Sequence, residues 1–418
     1  MEKVLLITTK TDSEGNNWSP EEMSKELTSL AQTCGAKVTK EIICRLKKPT
    51  ANLYLGKGKT EELATICQAE SVDTVIFNHD LSPVQQRNLE EILQRKTIDR
   101  TQLILDIFAQ HAKSPEGKTQ TELAQLIYLL PRLTGRGIML SRLGGGIGTR
   151  GPGERKLEVD RRRIRERITR LRRDLKGLSS HRFIMRKKRI DAGFPLVSLV
   201  GYTNAGKTTL LNALTGENQL ISESLFTTLD PKAKSLILPN NLKVVLSDTV
   251  GFLNQLPHHL IEAFKATLEE LTYADLIIHV LDISHHLVYK HNEAVQIVLK
   301  ELNVQDKPTI IALNKIDLLE DMGWLERTKL DFPNSVAISA KDKENLGGLK
   351  EKISELLKER LSILRIFIPL NRLSLLELIY EQGKVKKIEY TPRGVYLEAF
   401  LPTETADKLR SYIKPNND

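Results

Sequence analysis

The run Phe194-Pro-Leu-Val-Ser-Leu-Val200 passes without interruption into Gly201-Tyr-Thr-Asn-Ala-Gly206-Lys207-Thr208 and then into Thr-Leu-Leu-Asn-Ala-Leu-Thr-Gly. An apolar strand, a GxxxxGK[ST] loop and a helix in that order are the requirements of a phosphate-binding loop. The physical reason lies in unpaired amides. The loop from Gly201 through Asn204, Ala205 and Gly206, with the first helical amides at Lys207, Thr208 and Thr209, presents N–H groups and the positive end of a helix to the oxygens. Lys207 is placed to reach the β- and γ-phosphates, and the Thr208 hydroxyl to ligate Mg²⁺.

Three further strings follow in order on predicted strand ends. Lys-Val-Val-Leu-Ser-Asp248 ends in Asp248-Thr-Val-Gly251, 41 residues after Lys207. This puts a carboxylate near the metal and a glycine amide near the γ-phosphate. Thr-Ile-Ile-Ala-Leu-Asn314-Lys315-Ile-Asp317 comes next. Asp317 can accept from the N1–H and 2-amino group of guanine, which adenine does not offer in that form, so GTP is the expected nucleotide. Asn314 is expected to brace the loops and Lys315 to cover the base. Ser339-Ala340-Lys341 would bring the Ala340 amide to guanine O6. The fold class implied is α/β and multidomain, with a Ras-like P-loop domain over 191–362.

Around that engine the chain is unevenly charged. From Arg132 to Ile190 there are 20 Lys and Arg against 5 Asp and Glu, while the whole 418-residue chain carries only +9. Phosphate neutralisation with counterion release makes so dense a block a candidate nucleic-acid surface, weighed against a solvated helix face. Residues 114–190 read as a basic helical hairpin. One helix, with apolar positions 123, 126, 127 and 130, ends near Pro131, and a second carries Leu157, Ile164, Ile168, Leu171 and Leu175 on one stripe. The Gly/Arg-rich loop between them holds Arg142 and Arg150; with Arg155, Arg161, Arg162 and Arg163 these are the candidate RNA contacts.

Residues 1–113 alternate strands and helices as β-α-β-α-β-α-β-α, a parallel α/β domain. Ser19-Pro and Ser82-Pro, with Glu22 and Gln85 three residues on, read as capping-box starts. Leu55-Gly56-Lys57-Gly58-Lys59 lies at a helix start and is a weaker phosphate-loop candidate, with ATP as its possible ligand and a plain solvated turn as the other reading. Residues 363–418 read as a small β-α-β-β-α domain. The three cysteines, Cys34, Cys44 and Cys67, form no CxxC pair and suggest reduced core thiols. No apolar stretch approaches a membrane span, and the N-terminus lacks a signal-peptide pattern, so a cytoplasmic location is expected. The pairs His258-His259 and His285-His286 are assigned to surface or switch packing rather than to metal.

Gly144-Gly-Gly-Ile-Gly-Thr-Arg-Gly-Pro-Gly-Glu154 running into Leu-Glu-Val-Asp-Arg-Arg-Arg-Ile-Arg-Glu-Arg-Ile, together with the P-loop string, Leu-Phe226-Thr-Thr-Leu-Asp-Pro and the segment from Asp248, resembles the HflX family of ribosome-associated GTPases. The likeness covers essentially the whole chain, Leu-Gly-Lys-Gly-Lys-Thr-Glu-Glu-Leu included. It implies GTP hydrolysis and a partner in the large ribosomal subunit and its rRNA. It also implies splitting of stalled or idle 70S ribosomes, and a monomer. It assigns switch I to Phe226–Pro231, with Thr228 closing on Mg²⁺ and the γ-phosphate beside Thr208, and Asp248 acting through water. Asn204 then matches an asparagine that helps hold K⁺ in related enzymes, or is a turn residue. Lys207, Thr228 and Gly251 become the catalytic set. Phe252 stands where Ras-like enzymes place a water-orienting glutamine, which predicts slow unaided hydrolysis. The alternative function is nucleotide-driven RNA remodelling or ribosome assembly with a second ATP site near Lys57.

Overall fold

The computed structural model describes residues 1–12, 18–133, 152–191, 194–216, 232–249, 251–254, 265–358, 361–402, 405–406, 409 and 412. For 152–157, 179–191 and a few strand and helix ends only the backbone is described. The described residues fall into two compact units, those up to 178 and those from 179 onward.

The first unit is built on a four-stranded parallel sheet ordered β2-β1-β3-β4, with β1 Lys3–Thr11, β2 Lys37–Leu46, β3 Thr74–Phe77 and β4 Lys96–Asp99. Each crossover is helical, as parallel neighbours require. The helices Pro20–Thr33 and Pro83–Leu93 begin in complete capping boxes at Ser19/Glu22 and Ser82/Gln85. Alternation along β1 splits its side chains between two layers. Leu5 and Ile7 join Leu63, Phe77 and Leu89 in one buried cluster, while the helices Pro20–Thr33 and Arg100–His111 pack together.

The helix Pro115–Arg132 carries Pro131 inside its last turn rather than beyond its end. Leu123 packs on Ile168 and Leu171 of the helix Pro152–Asp191, and Arg167 forks onto Glu122 at 2.7 and 2.8 Å. That second helix is 40 residues long. The apolar stripe read from the sequence stops at Leu175, but the helical backbone runs on through Gly177 to Asp191. A helical glycine costs only about 1 kcal/mol, which the flanking lysines and arginines, good helix formers, offset.

The second unit contains a six-stranded sheet ordered β10-β9-β8-β5-β7-β6. Its strands are β5 Leu196–Gly201, β6 Lys232–Ile237, β7 Lys243–Asp248, β8 Leu276–Asp282, β9 Thr309–Asn314 and β10 Ser335–Ala337. Only β6 runs antiparallel. β5 is buried along its whole length between β7 and β8, so its apolar run needs no polar alternation. Val197 and Leu199 pack under the helix Lys207–Thr215 through Leu210, Leu211 and Leu214. A three-stranded antiparallel sheet, β11 Leu361–Pro369, β13 Gly394–Pro402 and β12 Lys384–Thr391 in that order, closes the chain. Its apolar face covers Ile379 of the helix Ser374–Gln382. Among the described residues no helix is long and apolar enough to cross a membrane.

Candidate nucleotide site

The site forms where the parallel strands end. Burying β5 at the centre of the sheet points the following loop out beyond the carboxyl edge, beside the loops after β7 and β9. Gly206 takes φ +96°, and a Cβ there would lie 2.3 Å from Asn314 Nδ2. A side chain is excluded by both conformation and space. The helix Lys207–Thr215 therefore begins without a side-chain cap, the condition under which its first amides suit an anion.

Lys207 is buried, and its Nζ donates to Gly201 O at 3.1 Å and Tyr202 O at 2.8 Å, wrapping the loop around its own amine. Burial pushes its pKa down to about 8, against the pull of Asp248. Thr208 Oγ1 donates to Asp248 Oδ2 at 2.7 Å. Asp248, the last residue of β7, is fully buried. A hydroxyl and a carboxylate oxygen so close are the hard donors that Mg²⁺ takes alongside phosphate and water, so these residues fit that ion. Asn204 is exposed and left-handed at φ +61°. Among the described residues no cluster of His, Cys, Asp or Glu could hold a metal.

On the base side, Asn314 ends β9 and is 2% exposed. Its Nδ2 donates to Ala205 O at 2.8 Å and its Oδ1 accepts from Ala340 N–H at 2.9 Å, so one amide ties the phosphate loop to the Ser339–Lys341 loop. The Ala340 amide, expected to face guanine O6, thus has a protein partner here. Ser339 Oγ donates to Asp317 Oδ1 at 2.6 Å and accepts from Asp342 N–H, orienting that carboxylate. Lys315, at φ +68°, forms a 2.7 Å ion pair with Asp282 at the end of β8. Lys341 is exposed.

The segment after Asp248 is laced to the phosphate loop. Phe252 N–H donates to Gly201 O, Thr203 N–H to Phe252 O, and Asn254 N–H to the Tyr202 hydroxyl. Phe252 itself is 1% exposed. Its ring is held inward, so this position offers neither donor nor acceptor. Gly251 lies against Thr203 and Lys207: a Cβ there would come within 2.8 Å of Thr203 Cγ2 and 3.2 Å of Lys207 Nζ.

Several of these residues carry no signal in the sequence. Tyr202 and Thr203 fill motif positions open to any residue. The Tyr202 ring stacks on His291 at 4.0 Å, and His285 follows at 4.6 Å with His286 stacked beyond it. His285 and His286 sit in a turn rather than a helix, which lets adjacent rings face each other. His279, in the middle of β8, is fully buried with neither ring nitrogen hydrogen-bonded, and burial, aided by the Lys207 charge, pushes it down to about 4.

The remaining candidates lie elsewhere. Thr228, Arg142, Arg150, His258, His259 and the Arg155 side chain are outside the described residues. Arg162 and Arg163 are exposed and make loose pairs with Glu166 at 3.7 Å and Asp160 at 3.8 Å, while Arg161 is half-buried. Near the first sheet, Lys57 pairs with Glu61 and Lys59 with Glu62 on their own helix, so neither lysine is held toward a common point. The thiols of Cys34, Cys44 and Cys67 are free, and burial pushes all three upward.

A mostly parallel sheet whose central strand feeds a glycine-capped helix, flanked by the loops after β7 and β9, defines a P-loop GTP-binding protein. Comparison with known proteins extends this. Residues 21–109 match a family profile described as GTP-binding GTPase N-terminal, residues 111–189 its Middle Region, and residues 196–315 a profile described as 50S ribosome-binding GTPase. The GTPase HflX of Caldanaerobacter subterraneus is 45% identical over 94% of this chain and 90% of its own length. Those of Lacrimispora saccharolytica (42%, 96% and 94%) and Escherichia coli (43%, 79% and 78%) are similar. A Sulfolobus solfataricus GTP-binding protein solved with GDP covers 86% of this chain and 99% of its own, at 28% identity and a TM-score of 0.44. The chain belongs to the HflX family of GTPases, and hydrolyses GTP.

Proposed function

We propose that this GTPase binds the large ribosomal subunit in its GTP state and dissociates or rescues stalled or idle 70S ribosomes in the cytoplasm, acting as a monomer. The observation that carries the reading is Phe252, buried at 1% exposure where a water-orienting side chain would stand. A site built this way hydrolyses slowly alone and depends on a partner to order its switches. The match of residues 196–315 to a 50S ribosome-binding GTPase profile supports the ribosome as that partner. The solvent-facing Arg162 and Arg163 support an rRNA contact, to which Arg142, Arg150, Arg155 and Arg161 would add.

In this mechanism the amides from Gly206 to Thr209 and the Lys207 amine hold the phosphates, with Gly201, Asn204 and Ala205 shaping the loop around them. Asp317, oriented by Ser339, accepts from guanine, while Lys315 and Ala340 border the base. Mg²⁺, when bound, neutralises phosphate charge; Thr208 and Thr228 would hold it, with Asp248 acting through water, and Asn204 would help hold K⁺. Gly251 and Thr228 sense the γ-phosphate, and their release on hydrolysis returns the protein to the weakly binding state. The functional division into 1–113, 114–190, 191–362 and 363–418 belongs to the same proposal.

Co-sedimentation with 30S, 50S and 70S particles in GDP and in a non-hydrolysable GTP analogue tests it. Expected are analogue-dependent 50S binding that weakens steeply with salt, faster GTP turnover and loss of 70S. Absence of ribosome binding in both nucleotide states would overturn it.

A further inference from the structure

The segment that follows Gly251 is fastened to the phosphate loop by three hydrogen bonds, of which a side chain makes only one. Phe252 N–H donates to Gly201 O at 3.1 Å and Thr203 N–H donates to Phe252 O at 2.8 Å, both between backbones. In the third, Asn254 N–H donates to the Tyr202 hydroxyl at 2.9 Å, a buried bond. Tyr202 is 5% exposed and Asn254 9%, so an amide that loses this acceptor has little water to turn to. Tyr202 also holds the phosphate-loop lysine, because its carbonyl accepts from Lys207 Nζ at 2.8 Å. Its ring is fixed in turn. His291, buried on the helix Val288–Glu301, stacks on it at 4.0 Å with 11° between the planes. A phenol pinned in this way presents its oxygen in one place with little rotamer freedom left to lose. Gly251 lies against the same loop, 2.8 Å from Thr203 Cγ2 and 3.2 Å from Lys207 Nζ as measured from where its Cβ would stand. Where the Gly251 amide sits therefore depends on the chain from Gly251 to Asn254 lying down on the loop.

We infer that Tyr202 is a positioning residue for GTP hydrolysis, its hydroxyl latching the Gly251–Asn254 segment to the phosphate loop so that the Gly251 amide is in place for the γ-phosphate. The role needs no contact with nucleotide or water. Tyr202 acts through the Asn254 amide, and His291 acts through Tyr202 by holding its ring. Without the latch the segment must be ordered at the moment of reaction, which adds to the barrier. GDP has no γ-phosphoryl group for the Gly251 amide to meet, so its binding does not call on the latch.

This inference rests on the reading of Gly251 as a γ-phosphate contact, and the experiment separates the two. GDP affinity, single-turnover GTP hydrolysis without ribosomes and hydrogen exchange over residues 248–254 are measured on the full chain, unmodified and as Tyr202→Phe, His291→Ala and His291→Phe. Tyr202→Phe keeps the ring and removes only its oxygen. Expected are a GDP Kd within about 2-fold, hydrolysis slower by about 10-fold, as for one buried amide left without its acceptor, and exchange at the Asn254 amide faster by about the same factor. His291→Ala should slow hydrolysis by about 3-fold, and His291→Phe, which keeps a stacked ring, should retain most of the rate. Hydrolysis by Tyr202→Phe at the unmodified rate overturns the inference. So does a loss of GDP affinity as large as the loss of rate, which would make the tyrosine merely structural. In the unmodified chain a non-hydrolysable GTP analogue should slow exchange over 248–254 more than GDP does. Equal protection by the two nucleotides would overturn the Gly251 reading, and the inference with it.

Discussion

Replacing Asn314 by Ala deletes a brace whose two bonds are both buried, one accepted by Ala205 O and one donated by Ala340 N–H. Ala205 and Ala340 are 2% and 3% exposed, so water cannot readily replace the amide. Each group left unsatisfied costs about 1–3 kcal/mol, which puts the local loss near 2–4 kcal/mol after partial relaxation. Two kcal/mol corresponds to roughly 30-fold faster opening. Hydrogen exchange read on a peptide covering residues 335–345 should therefore accelerate at Ala340 by at least that factor. GDP affinity should fall by about 10–100-fold, because the two loops must then be ordered on binding. Asn314→Asp provides an internal control. It keeps an acceptor for Ala340 N–H but sets oxygen against Ala205 O, so exchange at Ala340 should stay slow while affinity still falls. If Asn314→Ala leaves both exchange and affinity as they were, the brace does not hold the two loops together.

Two further outcomes follow from burial. His279 is held neutral down to about 4 rather than 6.5, so the unfolded chain takes up its proton first. The stability present above about pH 6.5 should decline by about 3 kcal/mol in all as pH falls toward 4; urea midpoints across that range should show the slope, and His279→Leu should flatten it, whereas an unchanged slope would refute the assignment. In the first unit, Arg132 Nη2 meets the fully buried Asp99 at 3.0 Å, and burial pushes that carboxyl upward while Arg132 draws it down. Arg132→Met should cost about 3–5 kcal/mol, as a stranded buried charge does. Arg167→Ala, removing an exposed fork to Glu122, should cost under about 1 kcal/mol. Thermal unfolding that ranks the two equally would contradict this contrast.

What the sequence determined by itself is whatever closes over a few residues or follows a period. The capping boxes at Ser19/Glu22 and Ser82/Gln85 each join residues three apart and occur as read. The apolar run of β5 and the Gly206-Lys207-Thr208 string likewise announce a strand, a loop and a helix with no help from the rest of the chain. The length of the basic helix was not legible, because the apolar stripe that marks it stops at Leu175 while the helical backbone continues to Asp191. The site's internal wiring was a tertiary decision throughout. Asn314 reaches Ala205 across 109 positions, and Asn254 reaches the Tyr202 hydroxyl across 52. Thr203 acquires its buried hydroxyl only because the chain after β7 lies down beside the loop after β5. Nothing in a strand's own alternation says which strand will be its neighbour. The order β10-β9-β8-β5-β7-β6 is settled by how the helices cover both faces, and it is that order which brings Thr203, Gly251 and Lys207 to one point.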